Sequence, residues 1–152
     1  MTGALTADEI IAALDLAPHP EGGWFRETWR AETPGARPAE ASGARPTGTA
    51  IYFLLKSGER SHWHRVDAAE IWHFHAGAAL TLRIAPDAAG PTVPHLLSPD
   101  LATGAEPQII VPAHHWQAAE TTGDFTLVSC TVSPGFRFEG FELAPPGFDI
   151  PG

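Results

Sequence analysis

Residues 62–77 read HWHRVDAAEIWHFHAG, and the spacing of their polar side chains decides how the rest of the chain is read. In a β-strand alternate side chains share a face, about 7 Å apart at a rise of about 3.3 Å per residue. His62 and His64 are therefore expected to aim their rings at one point while Trp63 faces the other way. The stretch Arg65 to Ala69 is long enough to turn the chain, so that Glu70 returns on a neighbouring strand. Two imidazoles and a carboxylate converging in this way are a common donor set for a borderline transition ion with open positions for a ligand. Fe, Mn, Ni, Co and Zn all suit it. The competing reading has the three groups bonded to one another and to a water in a polar cavity.

Outward from this segment the chain is punctuated by 15 Gly and 15 Pro, between short runs rich in β-branched and aromatic residues. That is the pattern of an all-β sandwich or barrel. Strands are expected at 23–30, 48–56, 60–65, 70–76, 79–85, 92–97, 108–111, 117–120, 125–132 and 141–143. One helix precedes them, at about 6–16. Thr6 and Glu9 form a capping box, Ile10, Ile11 and Leu14 follow at helical spacing, and Pro18 and Pro20 end it. The segment 33–46, TPGARPAEASGARP, has no periodicity and is expected to be a mobile surface loop.

The 152 residues are the size of one domain, so 1–152 is read as a single unit. Eighteen acidic residues against nine basic ones give a net charge of −9, which repels phosphate backbones and anionic lipid. Neither nucleic acid nor a membrane surface is an expected partner. The N-terminal stretch lacks a basic segment, no run approaches the roughly 20 apolar residues of a span, and Cys130 is the lone cysteine. A reducing, cytoplasmic setting is expected, with Cys130 an inert thiol in the apolar run FTLVSCTV.

The order His-x-His, Glu, Gly at 62–77 resembles the first motif of the cupin superfamily. Pro112-Ala-His114-His115-Trp116-Gln117 occupies the place of the second. The segments PHPEGGWFRETWR at 18–30, TAIYFLL at 49–55, IWHFHAG at 71–77, VPAHHWQAA at 111–119 and LVSCTVSPGFRFEGFEL at 127–143 narrow this further. Together they are similar, over nearly the whole chain, to the small single-domain cupin-5 family, a domain of unknown function. The resemblance implies a jelly-roll β-barrel, usually a dimer, with a pocket in the barrel mouth. It also implies that the fourth metal-ligand position falls at Gln117, and that His114 stands where the motif has glycine.

The expected metal set is thus His62, His64, Glu70 and Gln117, the first three also carrying any catalysis. Gln117 offers a carbonyl oxygen weaker than an imidazole, or an amide that orients a water or substrate. Arg26 is a candidate fork for a carboxylate or phosphate of the ligand, or an ion-pair partner of Glu21 or Glu27. Tyr52 is a candidate hydroxyl donor, or a packed strand residue. Trp72 and Phe74 share the parity of Glu70 and form pocket wall or core, whereas His73 and His75 face outward or into a subunit contact. His114 and His115 fall in a turn, where alternation does not say whether they reach the cavity. Ser61 and Ser129 have no evident base and orienting group, so a hydrolase triad is not expected.

Three functions are compatible with these residues. The first is a metal-dependent isomerase, lyase or oxygenase acting on a small polar organic molecule. The second is a metal-independent sugar or sugar-nucleotide epimerase or isomerase that uses the pocket histidines. The third is a non-catalytic metabolite-binding protein. A homodimer is expected, because Ile71, His73, His75 and Trp63 make too apolar an outward face for a small acidic domain.

Overall fold

The computed structural model describes residues 4–31 and 45–152. Helix α1, Ala7–Leu14, starts at Thr6, whose hydroxyl accepts from the Glu9 backbone while the Glu9 carboxylate accepts from the Thr6 N–H. It ends at Asp15, which takes a left-handed conformation. Eleven strands follow: β1 Ala17–Pro18, β2 Trp24–Arg30, β3 Thr49–Lys56, β4 Ser61–Val66, β5 Ala69–Gly77, β6 Leu80–Ala85, β7 Val93–Leu97, β8 Gln108–Val111, β9 Trp116–Thr121, β10 Phe125–Ser133 and β11 Phe141–Leu143. All ten expected strands are present, with ends displaced by two residues or fewer. The loop expected at 33–46 lies outside the described residues except for Arg45 and Pro46.

The strands form two antiparallel sheets, ordered β1-β2-β3-β10-β5-β8 and β11-β4-β9-β6-β7. Strand alternation supplies the core between them: Phe53, Leu55, Trp72, Leu80, Leu82, Leu97, Val111 and Val128 are all buried there. The outer face of the larger sheet is covered in part by α1, with Ile10 and Leu16 packed on Leu54. The outer face of the smaller sheet is covered by the segment 144–150. There Trp63 is fully buried against Trp116, Ala118, Ala144 and Ile150. Aliphatic and aromatic packing fills one end of the sandwich, and at the other a few polar groups stand among Val66, Val132, Phe136 and Phe141.

Two irregularities decide which side chains reach that polar end. Ser61 pairs with Ala119 and His64 with Gln117, so three steps on β4 face two on β9. This is a β-bulge, and it shifts parity by one residue. A second bulge lies in β2, where Glu27 and Trp29 oppose the adjacent residues Ile51 and Ala50.

Candidate functional site

A cavity of about 110 Å³ opens at this end of the sandwich. His19, Glu21, His64 and Glu70 line it, with Glu27, Arg30 and Thr49 also at the lining, and its walls include Phe25, Ile51, Val66, Val132, Phe136 and Phe141. His64 comes from β4 and Glu70 from β5, on the two facing sheets. His19 and Glu21 come from the turn between β1 and β2, closed by the Gly22 N–H on the His19 carbonyl and the His19 N–H on the Gly23 carbonyl, 3.0 and 2.9 Å. Gly22 has φ +109°, and a Cβ there would lie 2.0 Å from the Arg60 carbonyl oxygen, so only glycine fits this close approach to the neighbouring strand. The wall of Phe136 and Phe138 stands on a segment pinned from outside. Arg45 donates to the Gly135 carbonyl at 2.7 Å, and both Arg45 and Arg137 pair with Asp67.

Hydrogen bonds fix the protonation of the two imidazoles. His64 Nδ1 lies 2.8 Å from the His62 carbonyl, which can only accept, so Nδ1 carries the proton and Nε2 the lone pair. His19 Nδ1 instead accepts the Glu21 backbone N–H at 3.1 Å, which places its proton on Nε2. Burial holds His64 below the ordinary histidine range, and takes His19 down to about 4 with a smaller contribution from His64. Both rings are neutral at pH 7.

The carboxyls are pushed the other way. Burial raises Glu21 to about 8 against a weaker lowering by the Ser61 hydroxyl, to which it is bonded. Burial raises Glu70 to about 7, opposed by His64 and Gln117 and reinforced by Glu21. Cys130 lines the same cavity, and burial, then the two carboxyls, push its thiol well up. It stays protonated and is no nucleophile.

Gln117 is fully enclosed and held by two bonds. Its side-chain oxygen accepts the Trp72 indole N–H at 2.8 Å, and its NH2 donates to Glu70 Oε1 at 2.9 Å. An indole N–H can only donate, so the amide cannot be turned round without losing both bonds. The oxygen expected to reach a metal ion is therefore occupied. Gln117 acts on Glu70 as a positioning residue.

Several expected site residues lie elsewhere. His62 follows the bulge out of the cavity, and its Nε2 donates to the Pro145 carbonyl at 3.0 Å. Arg26 is exposed and donates to the Leu14 carbonyl at 2.9 Å, satisfying a free carbonyl at the end of α1. Tyr52 packs on the outer side of the sheet, within the cluster under α1 and 6.2 Å from the His75 ring. Trp72 and Phe74 point inward as their parity requires, but into the aliphatic core, where Trp72 meets Phe53 edge-on. His114 lines a separate surface cleft with Arg65, Asp67 and Glu142, and neither it nor His115 lines the cavity. The φ of +68° at His114 is the left-handed turn that glycine provides in the related motif. On the outer face His75 and Ser129 are hydrogen-bonded to each other, and among the described residues no acidic group is bonded to the ring.

The expected ion does not fit these donors. Among the described residues no three His, Cys, Asp or Glu side chains converge so as to hold a metal. Of the four expected ligands only His64 and Glu70 face the cavity. The residues that the motif reading passed over are His19 and Glu21. The signal for them was Glu21-Gly22-Gly23, where paired glycines after a carboxylate mark a tight turn built against another strand.

The family model described as Cupin superfamily (DUF985), Cupin_5, matches residues 8–144. A Shewanella oneidensis protein of known structure is 41% identical, with 93% of this chain and 85% of that chain covered and a TM-score of 0.83. A hypothetical protein from Leishmania major is 29% identical, with 95% and 90% covered and a TM-score of 0.82. Oxalate decarboxylase from Bacillus subtilis shares the fold at 14% identity and a TM-score of 0.58, with 86% of this chain and 30% of that chain covered. No curated protein matches.

Proposed function

Taking as its premise that the chain belongs to the Cupin_5 family, we propose that the cavity binds a small polar organic molecule and moves a proton on it without a metal. The observation that carries this is the fixed tautomer of His64, a neutral imidazole with its lone pair on the nitrogen opposite the bonded Nδ1. A base in that state accepts a proton from a bound C–H or O–H, and a protonated carboxyl in the same cavity returns one. Glu21 and Glu70 supply that carboxyl, with Gln117 and Ser61 holding them in place. The pocket is smaller than the roughly 300 Å³ and more of sites that enclose drug-sized ligands. A whole sugar nucleotide is too large for it, and the reacting group is a single small ring or a short chain.

The test is isotopic. Molecules released by denaturing the purified protein are identified by mass spectrometry and returned to fresh protein in D2O. Deuterium entering a C–H position of the released compound supports the reading, and its absence over many turnovers' worth of time removes it. A bound divalent ion was expected from His62, His64 and Glu70, and Mn(II) centres occur in oxalate decarboxylase, a protein that shares only the fold. The donor set gives it no support here.

The protein is further proposed to be a cytoplasmic homodimer, paired through the uncovered part of the outer face of the larger sheet. Ile71 and His73 are half-buried there, and Ile110 on the edge strand β8 is 59% exposed. No helix among the described residues is long and apolar enough to cross a membrane. A monomeric mass by light scattering at micromolar concentration removes the dimer.

A further inference from the structure

The geometry points to a small organic cation, an ammonium group on a short carbon chain, as the ligand of this cavity. The inference rests on the cavity being the ligand site, as proposed above, and adds the charge of what enters it.

Two carboxyl groups, Glu21 and Glu70, face one enclosed space, and the side chain of Glu21 is only 10% exposed. Among the described residues the one lysine or arginine at the lining is Arg30, and its Nε and Nη2 are both on the Glu27 carboxylate, at 2.9 and 2.8 Å. Glu21 and Glu70 accept from the Ser61 hydroxyl and the Gln117 amide, and the two imidazoles beside Glu21, with His19 Nδ1 at 3.3 Å and His64 Nδ1 at 3.6 Å, are held neutral by burial, so none of these partners carries a charge. The protein therefore gives these two carboxyls hydrogen bonds without a counter-charge. A buried carboxylate in that position is balanced by a proton or by a cation from outside.

The walls favour the second. Phe25, Phe136, Phe138 and Phe141 line the cavity, and the last three are mutually inclined, with centroids 5.1 to 6.4 Å apart. Aromatic walls of this kind attract a cation through the ring quadrupole, which is how aromatic cages hold ammonium ligands. An anion would meet the same rings and two acidic groups, while the one arginine at the lining is already bound to Glu27. A separate observation marks the floor as built for a ligand. His64 is 98% buried and lines the cavity, its Nδ1 bond turns Nε2 to the opposite edge of the ring, and Nε2 has no hydrogen-bond partner among the described residues.

One ammonium charge against two carboxyls that share one proton leaves the cavity neutral. His64 Nε2 then stays free as the base. An ammonium also acidifies the C–H next to it, so this ligand class and the proposed proton transfer reinforce one another.

Binding of propylammonium, 1-propanol and propionate to the full chain decides the matter, followed by NMR of the His64 and Phe141 ring signals. These probes share a carbon skeleton and differ in charge. Propylammonium is expected to bind at least tenfold more tightly than the alcohol and to shift both rings. Propionate is expected to be weakest. Glu21→Gln and Glu70→Gln are each expected to remove most of the preference, in proteins shown by circular dichroism to remain folded. Equal or tighter binding of propanol or propionate, with the same rings shifted, overturns the cationic ligand but leaves the cavity as the site. If no probe moves either ring, the inference falls together with the site reading beneath it.

Discussion

The inner and outer faces of the same strands carry the same kinds of residue and put them to different uses. On β5, Glu70 faces the cavity while His73 and His75 stand on the outside, bonded to Thr131 and Ser129. On β4, His64 is enclosed while His62 reaches a backbone carbonyl at the surface. An imidazole outside spends its ring nitrogen on a neighbouring hydroxyl or carbonyl in competition with water. Inside, burial holds it neutral, and one fixed hydrogen bond sets its tautomer and leaves a single nitrogen free. Position relative to the pleat, not residue type, separates a reactive group from a surface one.

The largest expected contrast is between the two histidines of β4. His64→Ala should lower the deuterium-exchange rate on the bound ligand by about 10²-fold or more, the range for loss of a positioned base. His62→Ala should leave the rate within about threefold, since its ring lies outside the cavity. Equal losses in the two variants would erase the distinction between the faces.

Next comes Gln117. Gln117→Ala strands the Trp72 N–H and removes a bond from Glu70, both buried, and should cost about 1–3 kcal/mol of stability. His75→Ala, on the exposed face, should stay within about 0.5 kcal/mol. Urea unfolding of the two variants gives the comparison, and a neutral Gln117→Ala would mean the buried chain of bonds contributes little.

The pH dependence of stability sharpens the same point. Glu21 binds its proton more tightly in the folded chain, about 8 against an ordinary value of 4.5. Its contribution is complete below pH 4.5 and is lost as pH rises through 8. His19 has the opposite sign, costing stability as pH falls from 6.5 towards 4. Between pH 6.5 and 8 the carboxyls dominate. Stability should decline there by up to about 1.4 kcal/mol per pH unit for each carboxyl still protonated. Glu21→Gln should remove much of that slope in urea titrations at pH 6.5, 7.2 and 8, and an unchanged slope would place the titration elsewhere.

The smallest effect is expected at Arg26. Its bond to the end of α1 is exposed, so Arg26→Ala should cost under about 1 kcal/mol and leave ligand affinity unchanged. A large loss of affinity would return Arg26 to the site.

The strands and the helix were legible because alternation and capping are local signals. The inward set Glu70, Trp72 and Phe74 also followed from simple parity. What failed was parity carried across a bulge. The extra residue in β4 turns His62 outward, and the one in β2 leaves Glu27 and Arg30 at the cavity while Arg26 faces α1. A bulge is set by pairing with a distant strand, so the sequence of one strand does not show it. Gln117 was placed near Glu70 by motif position, but which end of its amide met which partner depended on Trp72, 45 residues away. His19 and Glu21 were missed because their burial comes from a turn docked on β4, where the His62 N–H donates to the Glu21 carbonyl at 2.8 Å.

The strand order has a consequence for how the chain reaches this state. β10 is the tenth strand to be made, yet it sits between β3 and β5 in the larger sheet. Until residues 125–133 arrive, TAIYFLLK and AEIWHFHAG each present an unpaired, apolar edge where β10 belongs. Sheet closure must bridge about 70 residues on one side of β10 and about 50 on the other, the long-range pairing that makes β-sandwiches fold slowly. During that wait the two edges can pair with those of other chains, so yield on refolding should fall as protein concentration rises. The strand that completes the cavity end of the molecule is also the one that ends its exposure to aggregation.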